Sequence, residues 1–292
     1  MAALKDIQNK IAGVKKTRQI TRAMNMVATA RLRQVQGKTE GFRPYADKYA
    51  EVLGSLAGGV DPEIHPLLAN PEKVEKIAVV CLSADRGLCG SFNMNLITTA
   101  MKFIKEKKSE GIEVQLFTVG RKASDFFKRR TDQYNLVKTL PGVMNVVEFD
   151  LAVQVGRMGL EPFLSGEVQE VYFVYSRFQS MARLVPTVER LVPIRPEGAA
   201  GDEVGSSDYL TEPSPEEILV DLLPRFLNVR VYSGLLETAT SEQAARMAAM
   251  DNATKACKDM INNLTMVYNK ARQAAVTTEL MDIVGGAEAL KG

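Results

Sequence analysis

The placement of prolines constrains this chain more than any other feature. None occurs before Pro44 and none after Pro224, so long stretches at both ends carry no helix breaker. Leu4, Ile7, Ile11 and Val14 step 3, 4, 3, the spacing of a coiled-coil seam. The strict continuation falls on Arg18, Thr21 and Asn25, which are polar. Ile20, Met24 and Val27 carry an apolar face onward in shifted phase, as a stutter would. Breakers end the pattern at "GGVDPEIHP", 58 to 66, and a helix over 3 to 57 would be roughly 80 Å long. Near the other end, "SPEE" supplies Ser214 as N-cap, Pro215 at the first helical position and Glu217 reaching back. Pro224 is expected to kink the first turns. From Met250, the residues Ala253, Cys257, Met260, Leu264, Val267, Ala271, Ala274, Thr278 and Met281 follow in alternating steps of three and four. A helix from Pro215 to Gly285 would run on the order of 100 Å. Two such helices at opposite ends of one chain can pair only as an antiparallel coiled coil.

The middle has a different period. "KIAVVCLS" (76–83) and "IEVQLFTVG" (112–120) are buried strands, and "VQEVYFVYSRF" (168–178) and "TVERLVPI" (187–194) are strand-rich. Helical patterns separate them, at about 93–108, in "RKASDFFKRR", and at about 145–164. Strands alternating with helices imply an open, Rossmann-like α/β sheet inserted between the two long helices. The fold class is therefore α/β plus long α. Its parts are an N-terminal coiled-coil helix over 1–57, an α/β domain over 75–200 and a C-terminal coiled-coil helix over 214–288.

Charge is uneven. The net is only +2, yet nine basic residues stand between Met1 and Lys38 against Asp6 alone, which leaves the remainder of the chain acidic. Lys15, Lys16, Arg18 and Arg22 form a basic stripe that could grip nucleic acid or anionic lipid. No aromatic residue interleaves it before Phe42, so base stacking has no platform. A basic helix lying against acidic loops of protein partners fits better. Cys81, Cys89 and Cys257 are scattered and odd in number, which argues for a reducing compartment and against a zinc site or disulfide framework. No apolar run approaches the 18 or so residues that span a bilayer. The basic N-terminus has no cleavage-like break and is expected to belong to the mature protein.

Catalytic chemistry finds few candidates. His65, the only histidine, lies in the proline-rich breaker; alone it can build neither a Ser–His relay nor a histidine metal site. "LSADRGLCGSFN" (82–93) is the most site-like stretch, since it follows a strand and leads into a helix, where α/β sheets bind phosphate. It is neither GxGxxG nor a Walker loop. Cys89 could serve as a nucleophile tuned by Asp85 and Arg86; the competing reading is a tight turn whose Gly87 and Gly90 permit unusual dihedrals.

Four stretches together carry a family resemblance. "IQNKIAGVKKTRQITRAMNMVATARLR" (7–33), "SADRGLCGSFN" (83–93), "SEQAARMAAMDNATKA" (241–256) and "VTTELMDIVGGAEA" (276–289) are similar, in order, to the γ subunits of F-type ATP synthases. The resemblance runs from Ala2 to Leu290. It implies a non-catalytic rotary shaft, without cofactor or metal, that couples rotation of a membrane c-ring to the catalytic β subunits inside a ring of α and β subunits. By position in the motifs it implies β-subunit contacts at Gln243, Arg246, Arg272, Gln273, Thr277, Glu279 and Asp282. Met24, Lys15, Lys16, Arg18 and Arg22 would face acidic β-subunit loops. The α/β domain would lie at the foot against the ε subunit and the c-ring, with Tyr209 and Glu212 of "DYLTEP" (208–213) as contacts, although Thr211 stands where the family carries an aromatic residue. Chloroplast-type relatives hold a regulatory cysteine pair in this domain; residues 197 to 211 hold no cysteine here. A peripheral chain on the cytoplasmic face of a bacterial plasma membrane is the expected setting. Two alternatives remain: an enzyme built on the Asp85–Cys89 turn, and a basic coiled-coil protein that binds nucleic acid or lipid.

Overall fold

A run of seven residues, Lys76–Leu82, organises the centre of the molecule. This strand, β1, is buried from Ile77 onward because both faces of the sheet around it are covered, so the sequence there is continuously apolar rather than alternating. The structure, a computed structural model, describes residues 2–57, 65–195 and 214–289. These residues fall into two units, Ala30–Ala245 and Met1–Thr29 with Arg246–Gly292.

In the larger unit β1 is followed by α2 (Phe92–Ser109), β2 (Glu113–Val119), α3 (Arg121–Lys128), β3 (Asn135–Leu140), α4 (Phe149–Leu164), β4 (Glu170–Ser180) and β5 (Arg183–Val192). The sheet order is β3-β2-β1-β4-β5. Four strands are parallel, and β5 returns antiparallel along β4. One face is covered by α2 and α3, whose Leu96, Ile97, Ala100, Ile104 and Phe127 pack on Ile77, Val79 and Leu116. The other face is covered by α4 and by the inner stretches of α1 (Ala2–Ala57) and α5 (Pro215–Ala289), through residues such as Leu53, Val155, Leu223 and Leu235. Such layering is the usual answer to a sheet that is apolar on both sides.

Strand β3 was not anticipated from the sequence. It is an edge strand with no buried residue, so "NLVKTL" carries neither an apolar run nor a clean alternation. Strand β5 begins at Arg183, earlier than its sequence pattern suggests, because the hairpin with β4 extends the pairing to Ser180↔Arg183. At the start of α5 the Ser214 hydroxyl accepts the Glu217 N–H at 3.3 Å, as the capping pattern predicts. The helices run on through Pro44 and Pro224.

The smaller unit is an antiparallel helix pair. Gln8 Nε2 donates to the Tyr268 hydroxyl at 2.9 Å, the Thr21 and Thr254 hydroxyls meet at 2.8 Å, and Asn25 Nδ2 donates to the Met247 carbonyl at 2.8 Å. Rising numbers on α1 therefore meet falling numbers on α5. The expected stutter is absent. Thr21 is buried and Asn25 half-buried in strict heptad phase with Val14 and Ala28, whereas Ile20 and Val27 are 59% and 55% exposed. Hydrogen bonds let polar side chains occupy the seam without an unsatisfied group, and that is why polarity misplaced the phase. The α5 seam also differs. Cys257, Leu264 and Ala271 do face inward, but they alternate with Ile261, Tyr268 and Ala275 rather than with Met260, Val267 and Ala274. Two heptad frames share every second position, and only the neighbour's side decides between them. Thr278 and Met281, expected to continue the seam, are exposed together with every described side chain from Val276 to Ala287.

Candidate partner-binding surface

The site-like turn after β1 is built as a structural knot. Asp85, 8% exposed, accepts the backbone N–H of Arg121 at 2.8 Å and of Gly142 at 2.7 Å on one oxygen, and that of Met144 at 2.8 Å on the other. It thus ties the first turn of α3 and the loop after β3 to the end of β1. Ser83 Oγ accepts the Ala123 N–H at 2.8 Å. Gly120, at φ +90°, lets the β2–α3 turn approach so closely that an added Cβ would lie 2.0 Å from the Ser83 carbonyl oxygen. Cys89 is 2% exposed, and Asn93 Nδ2 donates to its sulfur at 3.1 Å while Asn93 Oδ1 accepts the Ala84 N–H. With Asp85 committed to three amides and the thiol enclosed, the turn offers neither a free base nor an accessible nucleophile. The tight-turn reading accounts for it. His65 Nδ1 accepts the Leu67 N–H at 3.1 Å, a local turn bond, and burial lowers its pKa.

Open parallel sheets bind ligands beyond the carboxyl ends of the strands where the strand order reverses, here between β1 and β4. In this chain α5 fills the place. Strand β4 overhangs β1, whose last pairing with it is Cys81↔Val174. Along the overhang the Ser176 N–H donates to Thr238 Oγ1 at 3.2 Å, the Phe178 N–H donates to Glu237 Oε2 at 3.3 Å, and Ser241 Oγ donates to the Ser176 carbonyl at 3.4 Å. Gly234 makes the approach possible, because a Cβ there would stand 2.5 Å from the Phe173 ring. The crevice that would hold a nucleotide holds a helix of the same chain.

Most of the candidate contact residues lie on exposed helix surface. Lys15, Lys16, Arg18 and Arg22 are exposed, and none forms an ion pair among the described residues; Met24 is half-buried. Arg272, Gln273, Thr277, Glu279 and Asp282 are all exposed. Thr277 Oγ1 donates to the Gln273 carbonyl at 2.9 Å, and Arg272 and Glu279 lie two turns apart on one side of α5. Gln243 and Arg246 behave differently. Each is only 8% exposed, and Gln243 Oε1 is buried without a hydrogen-bond partner, so these two offer a partner little area. Tyr209 and Glu212 lie outside the described residues.

Sequence reasoning missed two surfaces. Ile20, Met26 and Val27 on α1, and Met260, Met266, Val267, Val276, Leu280, Met281, Ile283 and Val284 on α5, are each about half exposed or more. Several had been placed in the seam, so their outward direction was invisible without the partner helix. The other is an aromatic cluster on the larger unit. Phe42 lies 5.5 Å from Tyr45 and 4.8 Å from Tyr232, and Phe149 lies 5.5 Å from Tyr232. Tyr45 is 54% and Phe149 42% exposed. Its members come from three distant parts of the chain, and no local pattern could have announced it. Exposed aromatic groups of this kind mark interaction surfaces.

Comparison with known proteins agrees with this arrangement. A family model described as ATP synthase matches residues 3–290. The ATP synthase gamma chain of Maridesulfovibrio salexigens is 49% identical over 294 aligned positions, covering 100% of both chains. That of Desulfosudis oleivorans is 51% identical over 298, again covering 100% of both. Among solved structures, a chain of the Euglena gracilis mitochondrial ATP synthase rotor superposes with a TM-score of 0.66 at 23% identity, covering 94% of this chain and 99% of that one. A chain from the same organism's OSCP/F1/c-ring assembly gives a TM-score of 0.70 at 21% identity, covering 99% and 95%. At those identities the structures speak for the fold, whereas the full-length curated relatives speak for kinship: the chain belongs to the ATP synthase gamma-chain family.

Proposed function

We propose that this chain is the central rotary shaft of an F-type ATP synthase and couples ion-driven rotation of a membrane c-ring to the catalytic β subunits. The observation that carries the reading is the end of α5. From Val276 to Ala287 every described side chain is exposed, including Leu280, Met281, Ile283 and Val284, and nothing else among the described residues covers them. Large apolar side chains left this open call for an external partner. A ring of α and β subunits closing around the helix would supply it.

In this reading Arg272, Gln273, Thr277, Glu279 and Asp282 engage one β subunit at a time, while Lys15, Lys16, Arg18, Arg22 and Met24 face acidic β-subunit loops. Gln243 and Arg246 contribute only through their small exposed edges. A shaft with different residues on each side contacts each β subunit differently at each angle. Such differential contact is the only way a partner can bias the conformations of otherwise identical sites. The chain itself performs no bond chemistry. The α/β domain is the foot, meeting the ε subunit and the c-ring, with Tyr209 and Glu212 as contact residues; the aromatic cluster around Tyr45 and Tyr232 is suited to such docking. No described helix is long and apolar enough to cross a membrane. A peripheral place on the cytoplasmic face of a bacterial plasma membrane follows from the partners.

Reconstitution tests the reading. Mixed with α and β subunits from the same source, the chain is expected to co-elute as a large complex whose Mg-ATP hydrolysis exceeds that of each component alone. Elution as a free chain, with the α and β mixture unaffected, would sink the proposal.

A further inference from the structure

Between α1, the β4–β5 hairpin and α5, all within the larger unit, lies a cavity of about 440 Å³ walled largely by charged side chains. Glu189 of β5 is fully engaged there. Its Oε2 accepts the Tyr175 hydroxyl at 2.7 Å and lies 3.7 Å from Arg177, and its Oε1 is bound by Arg230 of α5. Glu237 of α5 is not so engaged. Among the described residues its one side-chain hydrogen bond is from the Phe178 N–H on the β4 overhang, and no cation pairs with it directly. Arg43 of α1 and Arg177 of β4 act on it only through space, in the sense that favours ionisation, while Glu189 acts against it. Asp47 and Glu51 of α1 complete the wall, and Glu51 is paired with Lys48. The carboxyl is thus largely withdrawn from water yet reachable through an open cavity.

We propose that Glu237 is a proton-linked clasp, whose ionised form grips the β4 overhang through the Phe178 amide and whose protonated form loosens that grip. Burial is the largest influence on this carboxyl and raises its pKa above the ordinary glutamate value, outweighing the Phe178 bond and the two arginines. The sign has two consequences. A folded-state pKa above the unfolded one means that stability from this group is present at low pH and is lost as pH rises through the raised value. The local bond moves the other way, since an amide donates more strongly to a carboxylate than to a carboxylic acid. Acidification therefore loosens one contact while relieving a buried charge. The neighbouring bond from the Ser176 N–H to Thr238 Oγ1 has no titratable member and serves as an internal reference.

Hydrogen–deuterium exchange on the full chain, followed over segment 176–180 and corrected for intrinsic rates, reads the clasp directly. Protection is expected to fall on the order of fivefold as the pH is lowered from neutrality through the raised pKa of Glu237, the difference between a charge-assisted and a neutral bond. Glu237→Gln should lack the transition. Arg43→Gln, which removes a cation that favours ionisation, should move it to higher pH. Identical profiles for the wild type and Glu237→Gln, or an unmoved transition in Arg43→Gln, would overturn the proposal.

Discussion

Asp85 shows how a single side chain can look catalytic and be structural. In the sequence it sits in a glycine-bearing turn beside a cysteine. In the fold its two oxygens accept three backbone amides from two other segments. Asparagine in its place keeps one acceptor oxygen and turns an NH2 group toward amides that also donate. Asp85→Asn is therefore expected to destabilise the larger unit by roughly 2–4 kcal/mol, as unsatisfied buried amides do. Thermal unfolding checks it, and an unchanged midpoint would mean that the knot is dispensable. Cys89→Ser, by contrast, should leave the hydrolysis of a reconstituted complex intact. The residue is 2% exposed, and its sulfur accepts a bond from Asn93 that a hydroxyl can also accept.

At the scale of the element, the long helices carry their information in phase. The α1 stripe keeps one heptad frame through Thr21, Asn25, Ala28, Leu32, Val35 and Thr39, polar residues included. In the larger unit the Thr39 and Thr240 hydroxyls repeat at 3.0 Å the kind of pair that Thr21 and Thr254 make in the smaller one. Small hydroxylated side chains let helices approach closely while satisfying each other. The frame on α5 is directly testable. Ile261 is 8% exposed and Met260 52%. Ile261→Ala should cost about 2–3 kcal/mol, whereas Met260→Ala should stay within about 0.5 kcal/mol. Chemical denaturation, or amide exchange across 250–270, separates the two. A larger effect at Met260 than at Ile261 would mean that the helix pair uses the other frame.

At the scale of the whole molecule, coupling is the property to test. Glu279 is exposed on α5 and forms no ion pair among the described residues, so Glu279→Gln should leave folding untouched. In membranes carrying the complete enzyme it is expected to reduce ATP-driven ion pumping severalfold more than ATP hydrolysis, about 1 kcal/mol of lost differential contact. Pumping and hydrolysis that match the wild type would remove Glu279 from the contact set. The residues of α5 from Val276 to Ala287 make the same point collectively, since all of them are exposed and no other described residue covers them.

The sequence by itself determined the element types and much of their order: two long proline-poor helices, central strands such as Lys76–Leu82 with continuous apolar runs, and the absence of a second histidine. Those are local properties, set by backbone chemistry and hydrophobic period. It also carried the family, because four separated motifs recur in order. The tertiary structure alone decided which face each residue takes. Heptad frames that share positions cannot be told apart until a neighbour lies on one side, so Met260 and Val267 turned outward while Ile261 and Tyr268 turned in. An edge strand such as Asn135–Leu140 gains its identity from a hydrogen-bonded partner, not from its own burial. The fate of the β1–β4 crevice was equally illegible, because Thr238 and Ser241 meet Ser176 across more than sixty residues of chain. Pairings at that separation depend on the free energy of the assembled fold, and no window of sequence contains it.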